Sequence, residues 1–283
     1  MLRLLGRETH QQLWKVVENM KKFELVFIAG CQRSGTTLVG QMLGAHPNAL
    51  LIDENDGVAA LIDELLVEKQ VSETQLKKCL ASAKKNYQRL EERFDADGEL
   101  LPNVTHLILK APNATFFAEQ LRDIEWPVRV LFPVRDARDV VCSMQRLSHI
   151  PMLQNQLRLI SGSPTLKDRF RNEIELLSDH RIADHIKFAL VWRCKNELLS
   201  EFRPAPLNAL SFRYEDLIDD TESWQKRICA HAQLPTPEKP LVHDQVLKGV
   251  GPGLTARFRP VDAFSKQRWQ RQMTSEIEND VWA

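Results

Sequence analysis

Five short apolar runs punctuate the chain, each bounded by polar or turn-forming residues. They are ELVFIAG (Glu24–Gly30), NALLI (Asn48–Ile52), VTHLILK (Val104–Lys110), VRVLFPV (Val128–Val134) and NALSFR (Asn208–Arg213). Continuous apolarity, without strict alternation, predicts strands covered on both faces, as in a parallel sheet. Patterns of helical period fill the gaps. TTLVGQMLGAH follows the first run, DGVAALIDELLVEK and ETQLKKCLASAKKNYQRLEERF precede the third, NATFFAEQLRDI follows the third, and ARDVVCSMQRL follows the fourth. A helix-rich insert over Ile150–Phe202 comes before the fifth run. Alternating strands and helices predict an α/β fold, a doubly wound parallel sheet of about five strands with helical insertions. Ligands of such sheets bind beyond the carboxyl ends of the strands.

No repeat or low-complexity tract breaks the chain, and residues 1–283 read as a single domain. Residues 1–23 form a short amphipathic pattern, an expected N-terminal helix. Residues 150–202 are the helical insert. Residues 241–283 contain KGVGPGLTARFRPVDAFSKQRW, loop-like and basic, an expected flap over something anionic.

Composition narrows the chemistry. Lys plus Arg and Asp plus Glu are equal at 38 each. A protein bound to nucleic acid or an anionic membrane usually carries a basic excess, so neither partner is expected and any anion site must be local. The apolar run at the N-terminus is broken by Arg3, Gly6, Arg7 and Glu8, unlike a secretory signal. No stretch approaches the roughly 20 apolar residues of a membrane span. The five cysteines, Cys31, Cys79, Cys142, Cys194 and Cys229, form no CxxC pair. Neither a disulfide framework nor a metal site is expected, and a cytoplasmic setting is the simplest. His180 and His185 are five apart, off the spacing of a helical metal pair, and no GxSxG elbow is present.

The candidate chemistry begins at GCQRSGTTL, Gly30–Leu38, directly after the first strand. Its glycines have the G-x-x-x-x-G spacing of a phosphate-binding P-loop between strand and helix. Backbone N–H groups and the positive end of the following helix form an anion cradle there. Ser34, Thr36 and Thr37 add hydroxyl donors, and Gly35 lets the backbone approach a ligand. The lysine of an ATP or GTP hydrolase is replaced by Thr36, with Arg33 three residues earlier. No apolar strand ends in a lone aspartate to serve Mg²⁺. The loop therefore suits a single terminal anion without a metal.

RSGTT after an apolar strand, followed by LGAHPNALLIDEN, resembles the 5′-phosphosulfate loop of sulfotransferases that use 3′-phosphoadenosine 5′-phosphosulfate (PAPS). The flavour is that of the tyrosylprotein sulfotransferase-like and bacterial group, with Arg in place of Lys. The family's 3′-phosphate motif has an Arg at a strand end and a Ser eight residues later, matched here by Arg135 and Ser143 in VLFPVRDARDVVCSM. An Arg fork suits phosphate bidentately; pairing with Asp136 or Asp139 is its alternative. SFRYEDL resembles the family's RYEDL and puts Tyr214 near the nucleotide. DAFSKQRW resembles the C-terminal Ser-Lys segment and nominates Ser265 and Lys266, with Arg257 and Arg259 as rivals. The usual glycine before RW is missing.

The resemblance implies a sulfotransferase that moves a sulfuryl group from PAPS to a hydroxyl or amine of a small-molecule acceptor, leaving adenosine 3′,5′-bisphosphate. Arg33 would clamp the transferred group. Lys110, at the end of the third strand, would stabilise it and the bridging oxygen. Glu54, 21 residues after Arg33, matches the position of the glutamate base. Asp53, Asp56 and His46 remain rivals for that role, with His46 read as ordering the loop after the first helix. The segments 57–94 and 150–202 are expected to wall the acceptor pocket. A homodimer is left open. The alternatives are a P-loop nucleotide kinase or phosphotransferase and a non-catalytic nucleotide-binding module.

Overall fold

The computed structural model describes residues 23–68, 71–124, 128–147, 150–237 and 241–282. The helix expected over residues 1–23 lies outside them, apart from Phe23. All five expected strands form: β1 (Glu24–Ile28), β2 (Ala49–Ile52), β3 (His106–Lys110), β4 (Val128–Val134) and β5 (Leu210–Arg213). They make one parallel sheet in the order β2-β3-β1-β4-β5. The apolar runs are strands because helices cover both faces; β1, β2 and β3 are buried almost throughout.

Helix α1 (Thr36–Gly44) follows β1. Helices α2 (Val58–Val67) and α3 (Glu73–Asn86) follow β2, α4 (Ala118–Arg122) follows β3, and α5 (Ala137–Gln145) follows β4. The insert folds as α6 (Met152–Gly162), α7 (Pro164–Arg169), α8 (Arg171–Ser178), α9 (Asp184–Glu197) and α10 (Leu199–Phe202). Helices α11 (Tyr214–Asp219) and α12 (Thr221–His231) come after β5. The tail carries a two-residue ladder, β6 (Val250–Gly251) with β7 (Thr255–Ala256), then α13 (Trp269–Gln272) and α14 (Ser275–Trp282).

The main core joins the sheet to α1, α2 and α3 through residues such as Phe27, Met42, Leu51, Leu65 and Phe132. A second cluster closes the insert around Ile160, Phe170, Val191 and Cys194. A third, with Val140, Met144 and Phe188, seats α9 against α5. Among the described residues, no helix is long and apolar enough to cross a membrane.

The strand order decides where a ligand can sit. The chain leaves central β1 toward β2 on one side, fills in β3, then crosses to β4 on the other. The loops after β1 and β4 therefore flank the point where the winding reverses, and a crevice opens there at the carboxyl edge.

Candidate functional site

The loop after β1 turns on two left-handed residues, Arg33 (φ 70°) and Gly35 (φ 93°). A side chain at Gly35 would overlap the ring of Tyr214, so the glycine serves both the turn and this packing. Arg33 is an unusual non-glycine residue in this region, where strain often marks functional sites. The Gly30 N–H donates to Thr115 Oγ1 at 2.7 Å, tying the loop to the turn after β3. No side chain caps α1, so its first N–H groups and the positive end of its dipole face the crevice. The Ser34 hydroxyl is buried with no hydrogen-bond partner.

The second motif adjoins the first. Arg135 Nη1 donates to the Arg33 carbonyl at 3.1 Å, and Arg33 Nε donates to Ser143 Oγ at 2.9 Å. The two motifs interlock, because the Arg33 side chain crosses to the serine of the second motif. Arg135 lies 4.6 Å over the Tyr214 ring and donates to the Ser265 carbonyl. Tyr214 and Ser265 share a 2.7 Å hydroxyl bond. Arg135 Nε is buried and unpartnered. Of its two carboxylate alternatives, Asp136 is engaged elsewhere, whereas Asp139 does pair with it. Asp136 caps α5 and pairs with Arg138 at 2.7 Å. Asp139, 3.6 Å from Arg135, accepts from the N–H groups of Gln267 and Trp269 at 3.0 and 3.1 Å.

That grip on the tail brings in a residue the motifs did not reveal. Arg268 lies between the two N–H donors, and its guanidinium is held below its usual range by burial and by Arg146 and Arg135. Burial, with Arg146, Arg135 and Arg268, pushes Arg33 down to about 10; Glu54 opposes this. Four arginines from four segments thus converge on one rim. Among the described residues, Arg33, Arg146 and Arg268 have no carboxylate within salt-bridge distance. Lys266 is engaged separately: Asp219 at the end of α11 holds its ammonium. Arg259 pairs with Asp262.

On the other side of the loop, Lys110 ends β3 almost wholly buried. Its Nζ lies 2.7 Å from Asp53 and also pairs with Glu54, with Thr37 Oγ1 at 3.5 Å. Asp53 is buried as well, its second oxygen taken by the buried Arg257 of the tail. Asp53 and Asp56 form a capping box over the turn at Glu54–Asp56. Asp56 also accepts from Ser82 and Asn86. His46 stands apart, at the amino end of β2. The Asn48 N–H donates to its Nδ1 at 3.1 Å, so its Nε2–H donates to the Pro235 carbonyl at 3.0 Å. It orders that loop, as expected. Of the acidic candidates, Glu54 alone keeps a free face, with 34% of its side chain exposed.

That face borders a cavity of about 200 Å³. Arg33, Thr36, Thr37, Glu54 and Lys110 form one wall. The insert supplies Ile150, Met152, Asn155 and Gln156, as expected, but segment 57–94 does not reach it; Pro252 and Gly253 of the tail close that side instead. Helices α2 and α3 pack on the outer core, on each other and on the Glu54–Asp56 turn without lining the cavity. Trp192 packs in the third cluster and also donates to the Arg135 carbonyl at 2.9 Å.

The fold is α/β of P-loop-like type, with two arginine-bearing loops adjoining in the crevice at the carboxyl edge of its sheet. Residues 26–238, about three quarters of the chain, match the family described as "Sulfotransferase family". The chain belongs to the sulfotransferase family. Among solved structures it is similar to the "Sulfotransferase Domain from the Curacin Biosynthetic Pathway", at 15% identity and a TM-score of 0.53, covering 92% of this chain and 96% of that one. It is also similar to the "Sulfotransferase Domain from the Synechococcus PCC 7002 Olefin Synthase", at 17% identity and a TM-score of 0.49, covering 92% and 94%. No curated protein matches the chain.

Proposed function

We propose that the protein transfers a sulfuryl group from PAPS to a hydroxyl or amine of a small-molecule acceptor. The observation that carries this is the adjacency of the arginine-rich rim to the Glu54–Lys110 pair, within one crevice.

The buried polar atoms left unpartnered suit the donor. Ser34 Oγ, the uncapped start of α1 and Arg33 fit an anion at the first loop. Arg135 Nε, with Ser143, Arg146 and Arg268, fits a second anion a short distance away. A nucleotide with phosphate at both 3′ and 5′ positions would engage both. PAPS supplies an activated sulfuryl group whose departure leaves adenosine 3′,5′-bisphosphate. Tyr214 and Ser265 would brace Arg135, and residues 241–283 would act as the flap over the nucleotide in a single 1–283 unit. Arg268, more than the Asp219-paired Lys266, would supply the tail's cation to the second anion.

The remaining work falls to the cavity wall. Glu54 takes the acceptor's proton onto a carboxylate oxygen. Lys110 orients that carboxylate, and Asp53 with Arg257 keeps Lys110 in place. Arg33 and Lys110 stabilise charge on the transferred group's oxygens, the kind of preorganised electrostatics that dominates group transfer.

The test is labelled sulfuryl transfer from PAPS to a panel of small alcohols, phenols and amines. Wild type should turn over at least one class without added Mg²⁺. Glu54→Gln should cut kcat by about 10²–10⁴-fold, the range of a positioned base, with adenosine bisphosphate affinity within about threefold. Phosphoryl transfer from ATP–Mg²⁺, with none from PAPS, would overturn the proposal.

A further inference from the structure

Beneath the cavity lies a lysine that the transfer chemistry does not use. Lys195 of α9 is 0% exposed. Its three N–H groups donate to Gln32 Oε1 at 2.6 Å, the Pro112 carbonyl at 3.0 Å and Asn113 Oδ1 at 3.1 Å. The Phe116 ring lies 4.9 Å from Nζ. Every partner is neutral. A buried cation without a counterion is expensive, and burial pushes this one down to about 8. An apolar residue would seat α9 at lower cost, so the ammonium has another use.

That use is visible in the amides around it. Ammonium only donates, so Gln32 and Asn113 must face it with their oxygens and turn their NH₂ groups away. Asn113 Oδ1, already an acceptor, also receives Gln156 Nε2 at 3.2 Å. Gln156 must therefore present its nitrogen to Asn113. Its oxygen is left over, buried and without a partner. Gln156 is 3% exposed, and Gln32, Asn113 and Gln156 all line the cavity that Glu54 borders. One cation thus fixes which end of each of three cavity-lining amides is taken and which is left over: NH₂ on Gln32 and Asn113, the carbonyl on Gln156. Leu147, Ile150 and Met152 complete the lining with apolar surface.

Building on the transfer reaction proposed above, we propose that this amide wall reads a second, neutral hydroxyl on the acceptor, and that Lys195 is the positioning residue that sets the wall's polarity. A hydroxyl can donate to Gln156 Oε1 while accepting from Asn113 or Gln32. A carboxylate lacks the donor, and an ammonium would meet Lys195. The substrate class is a small diol or polyol on an apolar frame, with one hydroxyl at Glu54 and another at Gln156.

The test uses α,ω-alkanediols from ethanediol to hexanediol against primary alkanols of equal chain length. Binding to the full-length protein loaded with adenosine 3′,5′-bisphosphate is read by ligand NMR, and sulfuryl transfer from PAPS by kcat/KM. At one or two chain lengths the diol should bind about tenfold more tightly and react about tenfold faster, the worth of roughly one net hydrogen bond. Gln156→Leu and Lys195→Met should each bring the diol-to-alkanol ratio within twofold of one. If Lys195 were purely structural, Lys195→Met would lower the unfolding temperature and leave the ratio unchanged, which would overturn its positioning role. Equal binding of diol and alkanol at every length in wild type, which needs no variant, overturns the proposal, as does a ratio that survives Gln156→Leu. Selective diol binding without any sulfuryl transfer would support the amide wall and count against the transfer reaction instead.

Discussion

Lys195 shows at the scale of one residue how a functional group can hide in a sequence. It follows Phe188 and Val191 at helical spacing, where pattern alone expects a leucine, and so reads as an interruption of an apolar face. Its burial has a measurable signature. The unfolded chain keeps the Lys195 proton up to its ordinary value of 10.5, whereas the folded protein releases it near 8. Between these values the unfolded state binds more protons, so this residue's contribution to stability rises with pH. Below pH 8 the ionised form penalises the fold fully. The stability of wild type relative to Lys195→Met should therefore increase from pH 7 to pH 10.5, by up to about 3 kcal/mol at 1.36 kcal/mol per pKa unit. Urea denaturation of both proteins across that range measures it; a pH-independent difference would contradict the burial of a charged lysine. Arg146 and Arg268 escaped sequence reading for another reason. Neither belongs to a strand-end motif, and only the tertiary grip of Asp139 on residues 267–269 carries Arg268 to the rim.

At the scale of elements, the strands were the most legible part of the chain. β1, β2 and β3 are buried almost throughout, so their runs are largely apolar, while the half-exposed edge strand β5 carries Ser211 and Arg213; β4 matches its expected span, and the others differ only by end residues. The two arginine-bearing loops after β1 and β4 were legible because strand–loop–helix punctuation and arginine placement are local. The tail was less so. It is not a strand or long helix but a set of short turns held by individual contacts: Arg33 to Thr255 at 2.8 Å, Gln41 to the Arg257 carbonyl at 2.9 Å, and the Arg257–Asp53 ion pair. With Lys110, that last pair forms a buried chain of charges, and removing one member strands the rest. Asp53→Ala should cost about 3–5 kcal/mol in urea denaturation. Glu54→Gln, half-exposed and leaving the Lys110–Asp53 pair intact, should cost less than about 1 kcal/mol. The reverse ranking would show Glu54 to be the structural carboxylate and Asp53 the free one.

Across the whole molecule, charge and topology explain each other. The chain is formally neutral, with 38 basic and 38 acidic residues, yet four arginines meet where the winding of the sheet reverses. A local anion site in a neutral protein is what selective capture of a small anionic nucleotide requires; a globally basic surface would also attract polyanions. Calorimetric titration of wild type and Arg135→Ala with adenosine 3′,5′-bisphosphate, with adenosine 5′-phosphosulfate and ATP–Mg²⁺ as comparisons, tests the central claim most directly. Wild type should bind the bisphosphate without metal and at least about 100-fold more tightly than ATP–Mg²⁺. Arg135→Ala should weaken the bisphosphate by about 10–100-fold, the worth of charge-assisted hydrogen bonds, and the phosphosulfate that lacks a 3′-phosphate by less than about threefold. Equal losses for both ligands, or a preference for ATP–Mg²⁺, would contradict a nucleotide gripped at opposite ends by the loops of Arg33 and Arg135.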